Sequence, residues 1–119
     1  MLFYNVLKRD FWLKKAILPL AAEEKNIDAD TYEMVKNAFD HAAVKAGMPS
    51  NADVVELEKC VVPTLVVAAE KDCLFPGEKV IVRARKMLPD CKTHLLQNQG
   101  HLCILPADVI NMIQTFIIG

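Results

Sequence analysis

Two side chains in this sequence have the type and the placement to move a proton. Asp72 follows an apolar run, Pro63-Thr-Leu-Val-Val-Ala-Ala-Glu-Lys-Asp72, and His101 follows Gly100 after a second, shorter run. An ionised carboxylate that holds one imidazole nitrogen fixes the tautomer and leaves the other nitrogen to act as a general base. Such a base acts on a nucleophile, and the only serine in the chain is Ser50, in Met48-Pro49-Ser50-Asn51. Either residue alone is a weak signal. An Asp after a strand is often a turn residue or helix cap, and a Gly-His pair is common.

The elements around the pair give it more weight. Cys60 to Ala69 is a near-continuous apolar, valine-rich run, which fits a strand buried on both faces. Pro63 is tolerated at the start of such a strand. Pro76 then opens a helix whose buried stripe is Val80, Ala84, Met87 and Leu88, and Pro89 closes it. Thr93 to Gln97 reads as a short strand, with His94 as a packing or edge residue. Pro106 opens a last helix with an inner face of Val109, Ile110, Ile113, Phe116 and Ile117. Two strands joined through a helix should be parallel, with a right-handed crossover. Ligands of such sheets gather beyond the carboxyl ends of the strands. Asp72 and His101 both follow their strands, so neighbouring strands would bring them together, with Gly100 allowing a sharp backbone turn.

The first 58 residues read as helical. Phe11, Leu13, Ala16, Ile17 and Leu20 form a broken stripe, and Pro19 within it predicts a kink or two short helices. Residues 30–46 give the clearest helix, with Asp30 as cap and Glu33 completing a capping box. Val35, Ala38, Phe39, Ala42, Ala43 and Ala46 form its stripe, Gly47 its C-terminal cap, and Pro49 prevents continuation. His41 lies off the stripe, on the surface. Ser50 and Asn51 would cap a short helix through Val54, Val55 and Leu57. No internal repeat or low-complexity segment occurs.

Composition narrows the classes. The 119 residues carry a net charge of −1, which gives no reason to propose nucleic acid or an anionic membrane. The cluster Arg83-Ala84-Arg85-Lys86 falls late in a predicted helix, where cations suit the macrodipole. Ala16 to Ala22 is far short of the ~20 residues a membrane span requires. Asp10 ahead of that run and Glu23-Glu24 behind it argue against a signal peptide. Cysteines stand at 60, 73, 91 and 103 without a C-x-x-C pair. Cys60 and Cys103, beside apolar residues, read as small core residues. Cys73 and Cys103 lie near Asp72 and His101, but separated single ligands are weak grounds for a metal site. No metal and no cofactor is expected, and free thiols fit a reducing cytoplasm. The hydrophobic content of 53% is high for so short a chain, and the excess points to a face that expects a partner.

The joint pattern is V-P-T-L-V-V-x-A-E-x-D, F-P, a helix ending in L-P, a strand, G-H, and an apolar helix ending in Phe-Ile. It resembles the C-terminal part of the α/β-hydrolase family. The resemblance covers residues 60–117 well. It implies an α/β fold, a partial α/β-hydrolase: helices over 1–58 in the position of a lid, then a parallel β-α-β-α unit over 59–119. It further implies Asp72 as the acid and His101 as the base of a Ser–Asp–His triad. Two departures stand out. Ala69 replaces a glycine common among relatives. The G-x-S-x-G elbow and the oxyanion loop are absent, and no cysteine sits in a G-x-C-x-G substitute.

Two readings follow. In the first, the chain is the C-terminal portion of an esterase- or lipase-like hydrolase of small-molecule esters, inactive alone, whose nucleophile half is a separate chain or missing. In the second, it is a non-catalytic module from a truncated hydrolase gene that associates with itself as a dimer. A small nucleotide- or flavin-binding protein is a minor third reading, opposed by the lack of a Gly-rich phosphate loop.

Overall fold

Thr64–Ala69 and Cys91–Leu96 run parallel as β1 and β2, with Thr64 opposite Cys91 and Ala69 opposite Leu96. The structure, a computed structural model, describes residues 10–42 and 50–119. Ahead of the strands lie α1 (Asp10–Ala21), a 3-10 turn (Glu24–Asn26), α2 (Ala29–His41) and α3 (Val54–Glu58). α4 (Gly77–Met87) joins the strands and α5 (Ala107–Ile118) follows them. Helices followed by a parallel β-α-β-α unit make this an α/β fold, with the element order that the sequence predicted.

The two strands are covered on opposite faces. Val67, Ala69 and Leu96 pack with Val109, Met112 and Ile113 of α5. The next residue along β2, Leu95, faces the start of α4 at Gly77, and Arg85 of α4 donates to Thr93 Oγ1 at 2.9 Å. Successive strand residues alternate faces, so β1, covered on both, is apolar from Leu65 to Ala69. A Cβ on Gly77 would overlap Ala69 O and stand 2.7 Å from Ala69 C, so glycine is what lets α4 start against β1.

A second core forms among the helices. Leu13 and Ile17 are fully buried, and Leu20, Ile27, Tyr32, Val35, Phe39 and Leu102 pack on them. Leu13, Ile17 and Ala21 recur every four residues along one face, which turns Phe11 and Ala16 outward. Pro19 does not divide the segment into two helices. It sits two residues before the end of α1, where Ala22 adopts φ 65° and the chain enters the 3-10 turn.

Several element ends differ from expectation. Asp28, not Asp30, caps α2: its Oδ1 accepts from Thr31 N at 2.7 Å. α2 ends at His41 with Ala42 extended, and Ala43, Ala46, Gly47 and Pro49 lie outside the described residues. Asp53, not Ser50 or Asn51, caps α3, accepting from Val55 N at 2.8 Å. In both cases the residue directly before the helix takes an orphan amide of the first turn. β1 starts at Thr64 rather than Cys60, because β2 offers its first ladder partner, Cys91, there. Val61 and Val62, ahead of the ladder, are exposed. β2 starts earlier than expected, at Cys91, for the same reason. On α5 the inner face is Val109, Met112, Ile113 and Phe116, while Ile110 and Ile117 are exposed.

Candidate active site

β1 ends at Ala69 and the chain turns at once. Glu70 N donates to Leu96 O at 2.9 Å and Lys71 N to Gln99 O at 2.8 Å, which ties this turn to the segment after β2. Asp72 N returns to Ala69 O at 3.3 Å. Asp72 therefore stands just beyond the carboxyl end of β1, and its two carboxylate oxygens have separate tasks. Oδ1 accepts from Leu74 N at 2.8 Å and Phe75 N at 2.9 Å, closing the turn that leads into α4. Oδ2 lies 3.0 Å from His101 Nδ1. The turn-residue reading and the charge-partner reading of Asp72 are both true, one for each oxygen.

Electrostatics follow from that division. Burial pushes the Asp72 carboxyl up, but the Phe75 amide, the His101 ring and the Leu74 amide together outweigh it and hold it below its usual value. The group is ionised at neutral pH and can only accept, so Nδ1 of His101 must be the donor. In a neutral imidazole Nε2 is then the free acceptor, which is the form a general base requires. The Asp72 side chain is 11% exposed and that of His101 36%, so the acid is sheltered and the base is open. Phe75 lies beside the imidazole, with ring centroids 5.8 Å apart.

The histidine is held by its neighbours in sequence. Leu102 donates its N–H to Leu20 O at 3.0 Å and packs into the helical core. Cys103 packs into the sheet core against α5. Gly100 is buried and its φ is not positive, so no left-handed conformation demands a glycine here. Its role is close approach: a Cβ there would overlap Leu20 O and stand 2.6 Å from Ala21 C. Asn26, buried among the helices, donates from Nδ2 to Ala21 O at 2.8 Å and Asn98 O at 3.5 Å. Lys71, beside Asp72, pairs with Glu23 at 3.5 Å. The sequence assigned Leu20, Glu23 and Asn26 no part in the site. An orphan helix carbonyl and a lone Asn carry no motif, although Asn26 so near the end of an apolar helix was a visible capping signal.

Among the described residues no hydroxyl or thiol hydrogen-bonds His101. Ser50 lies in exposed coil ahead of α3. Burial and the nearby Asp72 carboxylate both push the Cys103 thiol up, which suppresses its thiolate. All four cysteines are free. Among the described residues no three His, Cys, Asp or Glu side chains gather closely enough to hold a metal ion. No helix among them is long and apolar enough to cross a membrane.

No protein-family model and no curated protein matches the sequence. Among solved structures, the chain is similar to naproxen esterase (carboxylesterase NP) from Bacillus subtilis, with a TM-score of 0.71 at 18% identity. The match takes in 88% of this chain, which spans 40% of the length of that enzyme, so what the two share is part of an α/β-hydrolase fold.

Proposed function

We propose that the chain supplies the acid and base of a serine-type hydrolase acting on carboxylic esters or related acyl compounds. Asp72 is the triad acid and His101 the triad base. The observation that carries this reading is the contact between Asp72 Oδ2 and His101 Nδ1 at 3.0 Å, with Oδ1 anchored elsewhere. The fold shared with an esterase supports the substrate class. Nε2 of His101 takes the proton from a nucleophile hydroxyl as it attacks the acyl carbon, and returns it to the leaving alkoxide. The nucleophile and the oxyanion donors come from a complementary N-terminal half, so these residues alone are catalytically silent. The segment before residue 59 forms the lid-like unit, and residues 59–119 form the core unit.

The test uses activated short-chain esters. The chain alone should give no turnover above buffer. Mixed with the complementary half of a hydrolase carrying G-x-S-x-G, it should give turnover that is lost on His101→Ala. Turnover that survives this substitution would refute the assignment of the base.

A second reading, a non-catalytic module that pairs with itself, is favoured by the one-sided sheet. Among the described residues β1 has a ladder partner only in β2, and Val61, Val62, Ile117 and Ile118 are well exposed. A stable dimer that cannot be complemented would support it.

A further inference from the structure

We infer that the C-terminal end of α1 is the positioning element for His101, acting through Gly100, Leu102 and Asn26, so that the helical segment is fixed at this end and does not swing free of the base. The inference rests on the proposed role of His101 and adds what holds it.

The last turn of any helix leaves carbonyls without helical donors. In α1 two of these are taken by donors outside the helix, one local and one long-range. Leu20 O receives the Leu102 amide at 3.0 Å, and Ala21 O receives Asn26 Nδ2 at 2.8 Å. Asn26 also reaches Asn98 O, three residues before the histidine. Asn26 is 4% exposed, and a buried amide of this kind stays in place only while its donors are satisfied. Gly100 closes the arrangement from the other side, since its backbone lies against the Leu20–Ala21 peptide with no room for a Cβ. Positions 98, 100 and 102 are thus all fixed to the α1 end, while Cys103 is anchored in the sheet core. His101, between two anchored neighbours, has its backbone set by α1 and its ring aimed by Asp72. The Glu23–Lys71 pair ties the same stretch of chain to the residue before Asp72. It is exposed and adds little by itself.

A movement of α1 therefore carries the histidine loop with it. Binding or loss of a ligand against α1 would be felt at His101 as a change in its partnership with Asp72.

The test is NMR on the full chain at about pH 8, where an ordinary imidazole is neutral. Two-bond nitrogen–proton couplings read the His101 tautomer, and amide exchange at Leu102 reads its bond to Leu20. The wild type should show Nδ1–H and a protected Leu102 amide. Asn26→Ala and Gly100→Ala should each lose the Nδ1–H preference and speed Leu102 exchange. Met87→Ala, buried at the far end of α4, serves as a comparator that loosens the fold away from α1. It should leave the tautomer as it is. If Gly100→Ala does not fold, Asn26→Ala decides alone, because it removes donors without adding bulk. An unchanged tautomer in Asn26→Ala, or an equal loss in Met87→Ala, would overturn the inference. A wild type with a protected Leu102 amide but no Nδ1–H preference would instead sink the Asp72–His101 reading and leave the α1 anchor standing.

Discussion

Leu102 donates its backbone N–H to Leu20 O at 3.0 Å, one residue after His101 meets Asp72 across the same distance. One short loop thus joins three parts of the molecule: Leu102 enters the helical core, Cys103 the sheet core, and His101 faces the acid. The helical half and the sheet half are locked together at the place where the chemistry would occur.

Asp72→Asn should reverse the imidazole tautomer. The Asn Oδ1 can keep the Leu74 and Phe75 amides, so its NH2 must face Nδ1 and force the proton onto Nε2. In a complemented enzyme the rate should fall by roughly 10⁴-fold, the size of loss that a wrong tautomer causes in a triad. Steady-state kinetics with an activated ester would measure it. A loss of less than about tenfold would remove Asp72 from the proposed role.

The same carboxylate should make stability acid-sensitive. Its folded pKa is lowered, so the unfolded chain binds its proton first as pH falls. The stabilisation is fully present above the unfolded value of about 3.9 and is lost as pH drops through the folded value. Thermal melts from neutral pH down to acid should therefore decline more steeply for the wild type than for Asp72→Asn. Parallel declines would contradict the shift.

Gly77→Ala should destabilise the fold by about 1–3 kcal/mol, the usual cost of forcing extra volume into a packed site. The obstacle is the Ala69 backbone, which cannot rotate aside as a flexible side chain would. Urea denaturation measures the change. A neutral result would mean that α4 can shift off β1.

Two isoleucines separate buried from exposed apolar surface. Ile17→Ala, at a fully buried position, should cost about 2–5 kcal/mol. Ile117→Ala, at a position 76% exposed, should stay within about 0.5 kcal/mol. Chemical denaturation at low protein concentration compares them. Equal costs would show that Ile117 is covered in solution.

The chain should self-associate, most simply as a two-fold dimer. β1 is apolar from Leu65 to Ala69 and, among the described residues, pairs on one side only, whereas β2 carries Lys92 and His94, residues that suit an edge. A two-stranded sheet is marginal by itself, and the free edge of β1 is a template for another strand. Light scattering after size exclusion reads the mass. A well-folded monomer at micromolar concentration would end this proposal.

The sequence by itself determined the kinds of element, their order and the parallel pairing. Those follow from local periodicity, proline placement and the apolar content of Cys60–Ala69, each readable within a dozen residues. It also singled out Asp72 and His101, because both follow strands whose carboxyl ends share one edge. Element ends were less legible, as at Asp28 and Asp53, where several neighbouring polar residues can cap and only the backbone path chooses among them. The tertiary structure alone decided that Gly100 serves close approach to α1, that Asp72 gives one oxygen to the backbone and one to the imidazole, and that Leu20 and Asn26 hold the histidine loop. These are relations between residues far apart in the chain. They depend on where helix α1 comes to rest, and no local pattern of residue types encodes that distance.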